Sequence, residues 1–293
     1  MSNAYDELLN ATIHHLEDLK RQGTRFVQVD SGKLKALGVS TRAIAPAKAA
    51  PGRSAGIPPK PAEAPVAPKT AVPLAEPAPV ILTPTGDKAA DLGALRERAL
   101  QCVKCPNLAS SRKNVVWGVG DINSPLMFVG EAPGADEDEQ GEPFVGRAGQ
   151  LLTKIIEAMG FSRQTVYIAN ILKCRPDTPG QSAGNRPPTP EEIQRCLPYL
   201  NAQIDLIQPK AIVALGATAV AGLFGKSAPI SKIRGAFMTF RGIPVMPTFH
   251  PSYLLRPNGF SAKPLVWQDM LTVLDRLGRP ISEKQRNYFK PAS

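Results

Sequence analysis

The sequence has no apolar run long enough to cross a membrane as a helix. Its longest apolar stretch, residues 211–225, is interrupted by Gly216 and Gly222, whereas a spanning helix needs about 20 apolar residues. The first ten residues are polar and acidic, which does not fit a secretory signal peptide. These absences predict a cytoplasmic protein without a membrane segment.

A phosphate-binding loop of the GxxxxGK[ST] type is also missing. The short stretch Gly118-Val-Gly120 is too brief a signal to indicate nucleotide binding by itself. The formal net charge of +10 favours a polyanionic partner. Charge alone does not identify that partner.

Cysteines are few, and all four can belong to one site. Cys102 and Cys105 form a CxxC pair, whereas Cys174 and Cys196 stand apart. Disulfides are rare in cytoplasmic proteins, which leaves four unrelated thiols or a four-thiolate metal site, and the CxxC pair favours the metal site. Zinc and a [4Fe–4S] cluster both accept four cysteines. The wide separation of Cys174 and Cys196 favours iron–sulfur, because zinc ribbons usually have two tight pairs.

Proline, by contrast, is abundant and unevenly placed. Of the 30 prolines, 11 fall between Pro46 and Pro84 in a stretch rich in Ala, Lys and Val. Such a segment cannot bury enough surface to offset its ordering entropy, so residues 42–90 are predicted to be a disordered linker. Residues 1–41 are predicted to form an amphipathic helical appendage that docks on the main domain or recruits a protein partner, and residues 279–293 a C-terminal tail.

Residues 91–278 have the pattern of an α/β domain. Strands are predicted over 126–129, 166–170, 211–215 and 244–249, the last preceded by a hairpin strand over 237–240, and helices alternate with them. This alternation predicts a mostly parallel sheet covered on both faces. Glu131, Asn170 and His250 each follow a predicted strand, and polar groups that converge at one sheet edge indicate a pocket, as in an enzyme.

Several stretches, in this order, resemble the family-four uracil-DNA glycosylases, the iron–sulfur branch of that superfamily. They are GEAPG (130–134), GEPFVG (141–146) with AGQLL (148–152), NILKCRP (170–176), NRPPTP (185–190), LGAT (215–218) and HPSYLLR (250–256). The resemblance covers roughly residues 91–278. It implies a three-layer α/β/α domain with a central, mostly parallel four-stranded sheet, and a [4Fe–4S] cluster on Cys102, Cys105, Cys174 and Cys196. It also implies a monomeric enzyme of base excision repair, which hydrolyses the N-glycosidic bond of deoxyuridine in DNA and leaves an abasic site.

The chemistry of that reaction suits three side chains of the resembling motifs. The departing uracil gains negative charge on O2, which His250 is suited to stabilise through a hydrogen bond. The carboxamide of Asn170 can accept from uracil N3–H and donate to O4, and cytosine presents the opposite pattern. Phe144 offers a face on which the flipped base can stack.

The acidic loop after the first strand is expected to form the pocket wall and to hold the attacking water. Glu131, Ala132 and Pro133 are assigned to the wall by resemblance. Better-known branches of the superfamily have a water-activating aspartate at the position of Ala132, so Glu131 and Glu137 are taken as the catalytic carboxylates here, with Asp138 as an alternative to Glu137. The remaining carboxylates of the loop are expected to be solvated.

Four further residues are predicted to contact DNA. Leu254 is assigned as the wedge that fills the gap left by the extruded base. Arg256, Lys173 and Arg175 are expected to contact phosphates, which set register without reading sequence.

Two other functions remain open at this stage. One is a non-catalytic or covalently trapping uracil-DNA-binding protein on the same fold. The covalent form is disfavoured because residues 177–184, which look like a short insertion, contain neither histidine nor a basic run. The other is a zinc-stabilised nucleotide-binding module, which would need the phosphate loop that the sequence lacks.

Overall fold

A computed structural model describes residues 85–177 and 185–289. The predicted appendage (1–41), the predicted linker up to residue 84, the inserted segment 178–184 and the last four residues lie outside the described residues. The first described helix begins at Lys88, within the last residues of the range predicted to be linker. Within the described ranges, no helix combines the length and the apolar character that crossing a membrane would require.

Helices and strands alternate along the described chain, as the hydrophobic pattern predicts. The strands are β1 (Val119–Gly120), β2 (Leu126–Gly130), β3 (Tyr167–Asn170), β4 (Ala211–Leu215), β5 (Met238–Phe240) and β6 (Ile243–Thr248). The helices are α1 (Lys88–Leu100), α2 (Pro106–Ser111), α3 (Ala135–Gln140), α4 (Arg147–Ala158), α5 (Pro190–Ile207), α6 (Ala217–Phe224), α7 (Ile230–Ile233), α8 (Pro251–Leu254), α9 (Lys263–Arg276) and α10 (Glu283–Arg286), with a 3₁₀ helix over Pro257–Ala262.

The sheet has six strands in the order β1-β3-β2-β4-β6-β5. Its four central strands are parallel, and β1 and β5 pair antiparallel at the two edges. The prediction of a mostly parallel α/β sheet is confirmed, but the predicted number of four strands is wrong. The short edge strand β1 has only two residues, which is too few to produce a hydrophobic period.

Two apolar cores lie on opposite faces of the sheet and make the domain three-layered. Successive residues of β2 alternate between them: Met127 and Val129 belong to the core with α1, α5 and α6, whereas Leu126 and Phe128 belong to the core with α4 and α9. Every residue of β2 and β4 is buried. Parallel strands covered on both faces are uniformly apolar for this reason.

Local sequence signals fix where the long helices begin. The Thr189 hydroxyl accepts from the N–H of Glu192, the Glu192 carboxylate accepts from the N–H of Thr189, and Pro190 occupies the first turn of α5. This reciprocal cap satisfies two backbone donors that the helix itself cannot. Helix α5 thereby starts directly after the segment of residues 185–189.

A buried ion pair joins α9 to the sheet. The Asp269 carboxylate accepts from Nε of Arg234 at 3.0 Å and from the Thr248 hydroxyl at 2.6 Å, and the Arg234 guanidinium makes a second contact with the other carboxylate oxygen. The Asp269 side chain is fully buried, and the Arg234 side chain is 15% exposed. Burial raises the pKa of Asp269, while the hydrogen bonds from Arg234 and Thr248 lower it. This network ties the end of β6, just before His250, to the helix layer.

Removing the Asp269 carboxylate should be far more costly than removing a similar carboxylate at the surface. Asp269→Ala removes the carboxylate partner of a largely buried guanidinium, which keeps its contact with the Leu265 carbonyl, and of the buried Thr248 hydroxyl, so we expect the free energy of unfolding to fall by about 3–5 kcal/mol. The matched control is Asp205→Ala, which breaks a bidentate pair with Arg241 whose side chains are 44% and 50% exposed and should cost less than about 1 kcal/mol. Urea unfolding followed by circular dichroism measures the free energy of unfolding of both variants. Equal losses of stability would contradict the view that the Asp269 ion pair is the more important of the two for stability.

Candidate active site

A cleft of about 860 Å³ lies at the carboxyl ends of the four parallel strands. Glu131 follows β2, Asn170 ends β3, Gly216 follows β4, and His250 lies just after β6. Residues that are far apart in the chain meet here because parallel strands end at the same edge of a sheet. Glu131, Asn170 and His250 therefore line one cleft in the structure, as their positions after predicted strands led us to expect.

Gly130 is a position at which two parts of the site approach the backbone closely. A Cβ atom built on Gly130 would overlap with Oδ1 of Asn170 and with the Phe144 ring. Gly130 pairs with Asn170 in the register of β2 and β3, so the carboxamide and the ring both pack onto bare backbone. Any larger residue at position 130 would push the carboxamide and the ring apart.

The Asn170 side chain presents an unsatisfied acceptor to the cleft. Asn170 is 2% exposed, and its Oδ1 has no hydrogen-bond partner among the described residues. Leaving a buried amide oxygen unpaired costs about 1–3 kcal/mol. Asn201 also has a buried Oδ1 without a partner, but Asn201 lies in α5 away from the cleft. The oxygen of Asn170 is placed to receive a donor from a ligand.

His250 is held as a neutral donor. Its Nδ1 accepts from the backbone N–H of Ser252 at 3.1 Å and lies 2.8 Å from the Ser252 hydroxyl. Burial, followed by the charge of Arg256, lowers the pKa of His250 to about 4. A neutral ring whose Nδ1 accepts carries its proton on Nε2. The imidazole can therefore donate from Nε2 at neutral pH.

Phe144 forms the third side of the pocket in a strained backbone conformation. Its φ is +57°, in the left-handed region that a bulky residue seldom adopts. The Phe144 ring lies 5.7 Å from the His250 ring at an angle of 32°. A Cβ at Gly149 would overlap with the backbone carbonyl of Phe144, so a glycine is needed there as well.

The carboxylates of the acidic loop are largely structural. Oε1 of Glu137 accepts from the N–H groups of Val145 and Gly146, and Oε2 accepts from the N–H of Gly134, each at 3.0 Å. Asp138 is 3% exposed and accepts from the N–H of Lys113 at 3.0 Å. Asp138, the alternative to Glu137 for positioning the water, is buried as an anchor for residues 113 and 114 and does not line the cleft.

The structure brings most of the predicted site residues to the cleft. Its lining includes Glu131, Ala132, Pro133, Glu137, Phe144, Asn170, His250 and Arg256. Arg256 is exposed at the rim. Arg175 does not line the cleft. Its Nε donates at 2.9 Å to Oδ1 of Asn185, and Asn185 does line the cleft.

The prediction that Lys173 contacts phosphates is wrong. Lys173 is 2% exposed, and its Nζ donates to the backbone carbonyl of Asn170 at 3.0 Å and to Oε1 of Gln203 at 2.6 Å. The ammonium also lies 5.4 Å from the centre of the Trp117 ring. Burial lowers the pKa of Lys173 to about 8. The side chain points into the protein behind Asn170 and cannot reach a DNA backbone.

The prediction that Leu254 is the wedge is also wrong for this conformation of the chain. Leu254 is 1% exposed and packs with Ala262 and Val266 in a small apolar cluster. Leu254 ends the short helix α8, and the helical turn directs its side chain inward, whereas the next residue, Leu255, is partly exposed. Spacing within the HPSYLLR motif does not distinguish these two orientations.

All four cysteines border one small cavity beside α2. Nη1 of Arg112 donates to Sγ of Cys174 at 3.2 Å, and the N–H of Lys173 donates to Sγ of Cys196 at 3.2 Å. Burial raises the pKa of the Cys196 thiol to about 12. Four thiols around one cavity, with donors directed at two of the sulfurs, are a suitable ligand set for a thiolate-bound metal centre.

Two contributors to the site lie in the resembling motifs, but the sequence did not predict their roles. Ser252 fixes the tautomer of His250 through its N–H, and the His-Pro-Ser order was the available signal. Gly130 provides the close approach described above, for which the only signal was a glycine at the end of a strand.

Comparison with known proteins agrees with this geometry. Residues 117–271 match the model of the "Uracil DNA glycosylase superfamily". The chain is 47% identical over 176 residues to a type-4 uracil-DNA glycosylase of Thermotoga maritima, covering 59% of this chain and 88% of the relative. It is 36% identical over 198 residues to one of Archaeoglobus fulgidus, covering 65% and 93%. A type-5 uracil-DNA glycosylase of Pyrobaculum aerophilum is 31% identical over 190 residues, covering 54% and 80%.

The matched range contains all six strands and every residue that the cleft takes from their carboxyl ends. With its sequence matches and its mixed α/β sheet, the chain belongs to the uracil-DNA glycosylase superfamily.

Proposed function

We propose that this protein is a uracil-DNA glycosylase of the type-4 kind, which hydrolyses the N-glycosidic bond of deoxyuridine in DNA and leaves an abasic site for repair. The observation that carries the proposal is the unpaired Oδ1 of Asn170 in a cleft with the Phe144 ring and the His250 imidazole. Uracil N3–H is the donor that this oxygen lacks. The relatives named type-4 uracil-DNA glycosylases support the same substrate.

Recognition of uracil follows from hydrogen-bond polarity. The Asn170 carboxamide accepts from N3–H and donates to O4, while cytosine would place an acceptor against Oδ1 and a donor against the amide. A pocket whose polar groups are buried rejects the mismatched base because those groups stay unpaired. Phe144 provides the ring on which the extruded base stacks.

Cleavage depends on stabilising the departing base. As the bond between N1 and the sugar breaks, negative charge grows on O2, and Nε2–H of neutral His250 donates to it. A neutral imidazole is suitable because its hydrogen bond strengthens as charge develops on the acceptor. The hydrogen bond from the Ser252 N–H keeps the proton on Nε2 throughout.

Water delivery is assigned to Glu131 and Glu137. Oε2 of Glu137 accepts only one backbone N–H and keeps a second lone pair, and Glu137 lines the cleft. Glu131 lines the same cleft and directly follows β2. These carboxylates can orient a water toward the sugar and support the positive charge that develops there.

DNA reaches the cleft past a basic rim. Arg256 is exposed at the rim and Arg175 supports Asn185, so both are assigned to the phosphate backbone. Phosphate contacts of this kind set the register of the protein on DNA. The cleft is formed within one chain, which is consistent with a monomeric enzyme.

The four thiols fit a [4Fe–4S] cluster. Cys102, Cys105, Cys174 and Cys196 border one cavity and would hold the cluster, which when bound would order the loop around α2 beside the DNA. In residues 85–177 and 185–289, no group of three His, Cys, Asp or Glu side chains is arranged to hold a single metal ion. A cluster has its own edges and so places its ligands further apart than one zinc ion does. The assignment to iron–sulfur therefore rests on the four thiols around one cavity and on the resembling motifs, and hydrolysis itself is redox-neutral.

Asn170→Asp tests recognition. The change replaces a donor to O4 by an acceptor, so we expect kcat/KM for deoxyuridine in DNA to fall by about two orders of magnitude or more, with some cleavage of deoxycytidine gained. The control is Asn201→Asp, which alters the other partnerless buried amide and should leave cleavage unchanged. Oligonucleotides carrying one deoxyuridine or one deoxycytidine measure both. Wild-type cleavage by Asn170→Asp would remove the basis of the proposal.

His250→Ala tests leaving-group stabilisation against binding. Because the interaction strengthens in the transition state, we expect the single-turnover rate to fall by about 10²–10³, with a much smaller change in uracil-DNA affinity. Ser252→Ala keeps the backbone N–H that holds His250 and should reduce the rate less. A non-catalytic uracil-DNA binder would instead show no cleavage by the wild-type protein, and a covalent one would show a DNA adduct on a denaturing gel.

Cys174→Ala and Cys196→Ala test the metal site. Each change removes a ligand that joins the segment before β1 to the segment after β3, so we expect loss of bound iron, loss of the broad visible absorption and a lower unfolding temperature. Iron analysis and a visible spectrum of the purified protein measure these properties. Full iron content in either variant, or zinc in the wild-type protein, would show the assignment to be wrong.

A further inference from the structure

Arg163 contacts the pocket loop from outside the cleft. It lies between α4 and β3, its Nη1 donates to the backbone carbonyl of Phe144 at 3.0 Å, and its Nη2 donates to that of Pro143 at 2.7 Å. Arg163 does not line the cleft. Among the described residues, the hydrogen bonds of its guanidinium go to the backbone of the pocket loop.

The Phe144 backbone needs such support because it is strained. A bulky residue at φ +57° is strained and persists only where its surroundings hold it. Arg163 holds the carbonyls of residues 143 and 144, and Glu137 holds the N–H groups of residues 145 and 146. One cation and one anion thus fix four consecutive residues.

The geometry of this contact requires a guanidinium. Two N–H groups of one planar fork reach two successive carbonyls, whereas a lysine ammonium is a single point charge that cannot hold both in the same way. Burial lowers the pKa of Arg163, and the carboxylates of Glu142 and Glu137 act in the opposite direction. The acidic side chains of the same loop therefore favour the charged guanidinium that makes this contact.

A shift of Phe144 would reach the reacting base directly. The ring lies against Gly130, which Asn170 also contacts, and its centre is 5.7 Å from that of the His250 ring. Misplacement of a positioning group by about 1 Å can reduce a rate about 100-fold. The orientation of the ring is therefore a property on which the site depends.

We propose that Arg163 is a positioning residue for uracil excision, which acts by holding Phe144 in the strained conformation that stacks on the flipped base. This inference rests on the proposed function. It concerns a residue that touches neither the substrate nor any of the side chains that would react with it.

The test is a double-mutant cycle between Arg163 and Phe144. Arg163→Met keeps the aliphatic stem and removes both donors, Arg163→Lys restores one donor, and Arg279→Met is the matched control. Arg279 is exposed and stacks 4.8 Å from the Phe161 ring, so it contacts the same connecting segment without touching the Phe144 backbone. Each change is made both in the wild-type protein and in the Phe144→Ala variant. Two quantities are measured at a temperature where all variants are folded: kcat/KM for a deoxyuridine oligonucleotide, and inhibition by free uracil.

We expect Arg163→Met to lower kcat/KM by about 30- to 100-fold and to weaken inhibition by uracil, with Arg163→Lys in between and Arg279→Met unchanged. In the Phe144→Ala background, Arg163→Met should change either quantity by less than about 3-fold, because the ring that it positions is gone. A general loss of stability would not produce this dependence on Phe144.

Two outcomes separate this inference from the proposed function. The inference alone is overturned if the wild-type protein cleaves normally and Arg163→Met has the same kcat/KM as the wild type. It is also overturned if the wild-type protein cleaves normally and the losses of kcat/KM from Arg163→Met and Phe144→Ala multiply in the double variant. Absence of cleavage by the wild-type protein overturns the proposed function, and the role given to Phe144 falls with it.

Discussion

The packing of Asn170 and Phe144 against the bare backbone of Gly130 is the contact on which the rest of the site depends. It places an amide acceptor and an aromatic face at the end of β2, where no side chain separates them. The register between β2 and β3 sets this contact, since Gly130 and Asn170 are paired residues of neighbouring parallel strands. His250 then closes the pocket from β6, two strands away from β2 in the sheet.

Charge in this protein is used to hold backbone as much as to bind a ligand. Glu137, Asp138 and Arg163 all form hydrogen bonds with backbone groups of the loops that surround the cleft. Arg112 does the same near the cysteines, where it reaches the carbonyl of Cys102 and the sulfur of Cys174. Charge-assisted bonds to backbone are stronger than neutral ones, so loops rich in glycine and proline can keep a fixed shape. The basic chain has an acidic loop at its pocket because that loop needs acceptors for its own N–H groups.

The sequence predicted well those elements that have a continuous or periodic apolar pattern, and those residues whose place follows from the order of parallel strands. Continuous apolar runs predicted β2 and β4, and the convergence of Glu131, Asn170 and His250 followed from the rule that parallel strands end at one edge. Orientation was not predictable in the same way. Lys173 and Leu254 each lie within a motif near the cleft, yet the side chain of each is buried away from it.

The orientation of these two side chains is determined by the groups that they contact in the folded protein. Lys173 is drawn inward by acceptors on Asn170 and on Gln203 in α5, and Leu254 by the apolar face of α9. Both partners come from tertiary packing, which spacing along the chain does not encode. The same applies to Glu137, whose carboxylate is shared among three N–H groups that only the folded loop brings together.

The parallel arrangement of the sheet has a consequence for how the protein acquires activity as it folds. The cleft takes its walls from the ends of β2, β3, β4 and β6, and β6 is the last of these along the chain. Contacts between such distant segments form slowly, because long loops must close before the contacts are gained. A chain emerging from the ribosome therefore has the Asn170 acceptor before it has the His250 donor. The cleft is incomplete until the final parallel strand has been added, so its lining is assembled only when the last of these four strands joins the sheet.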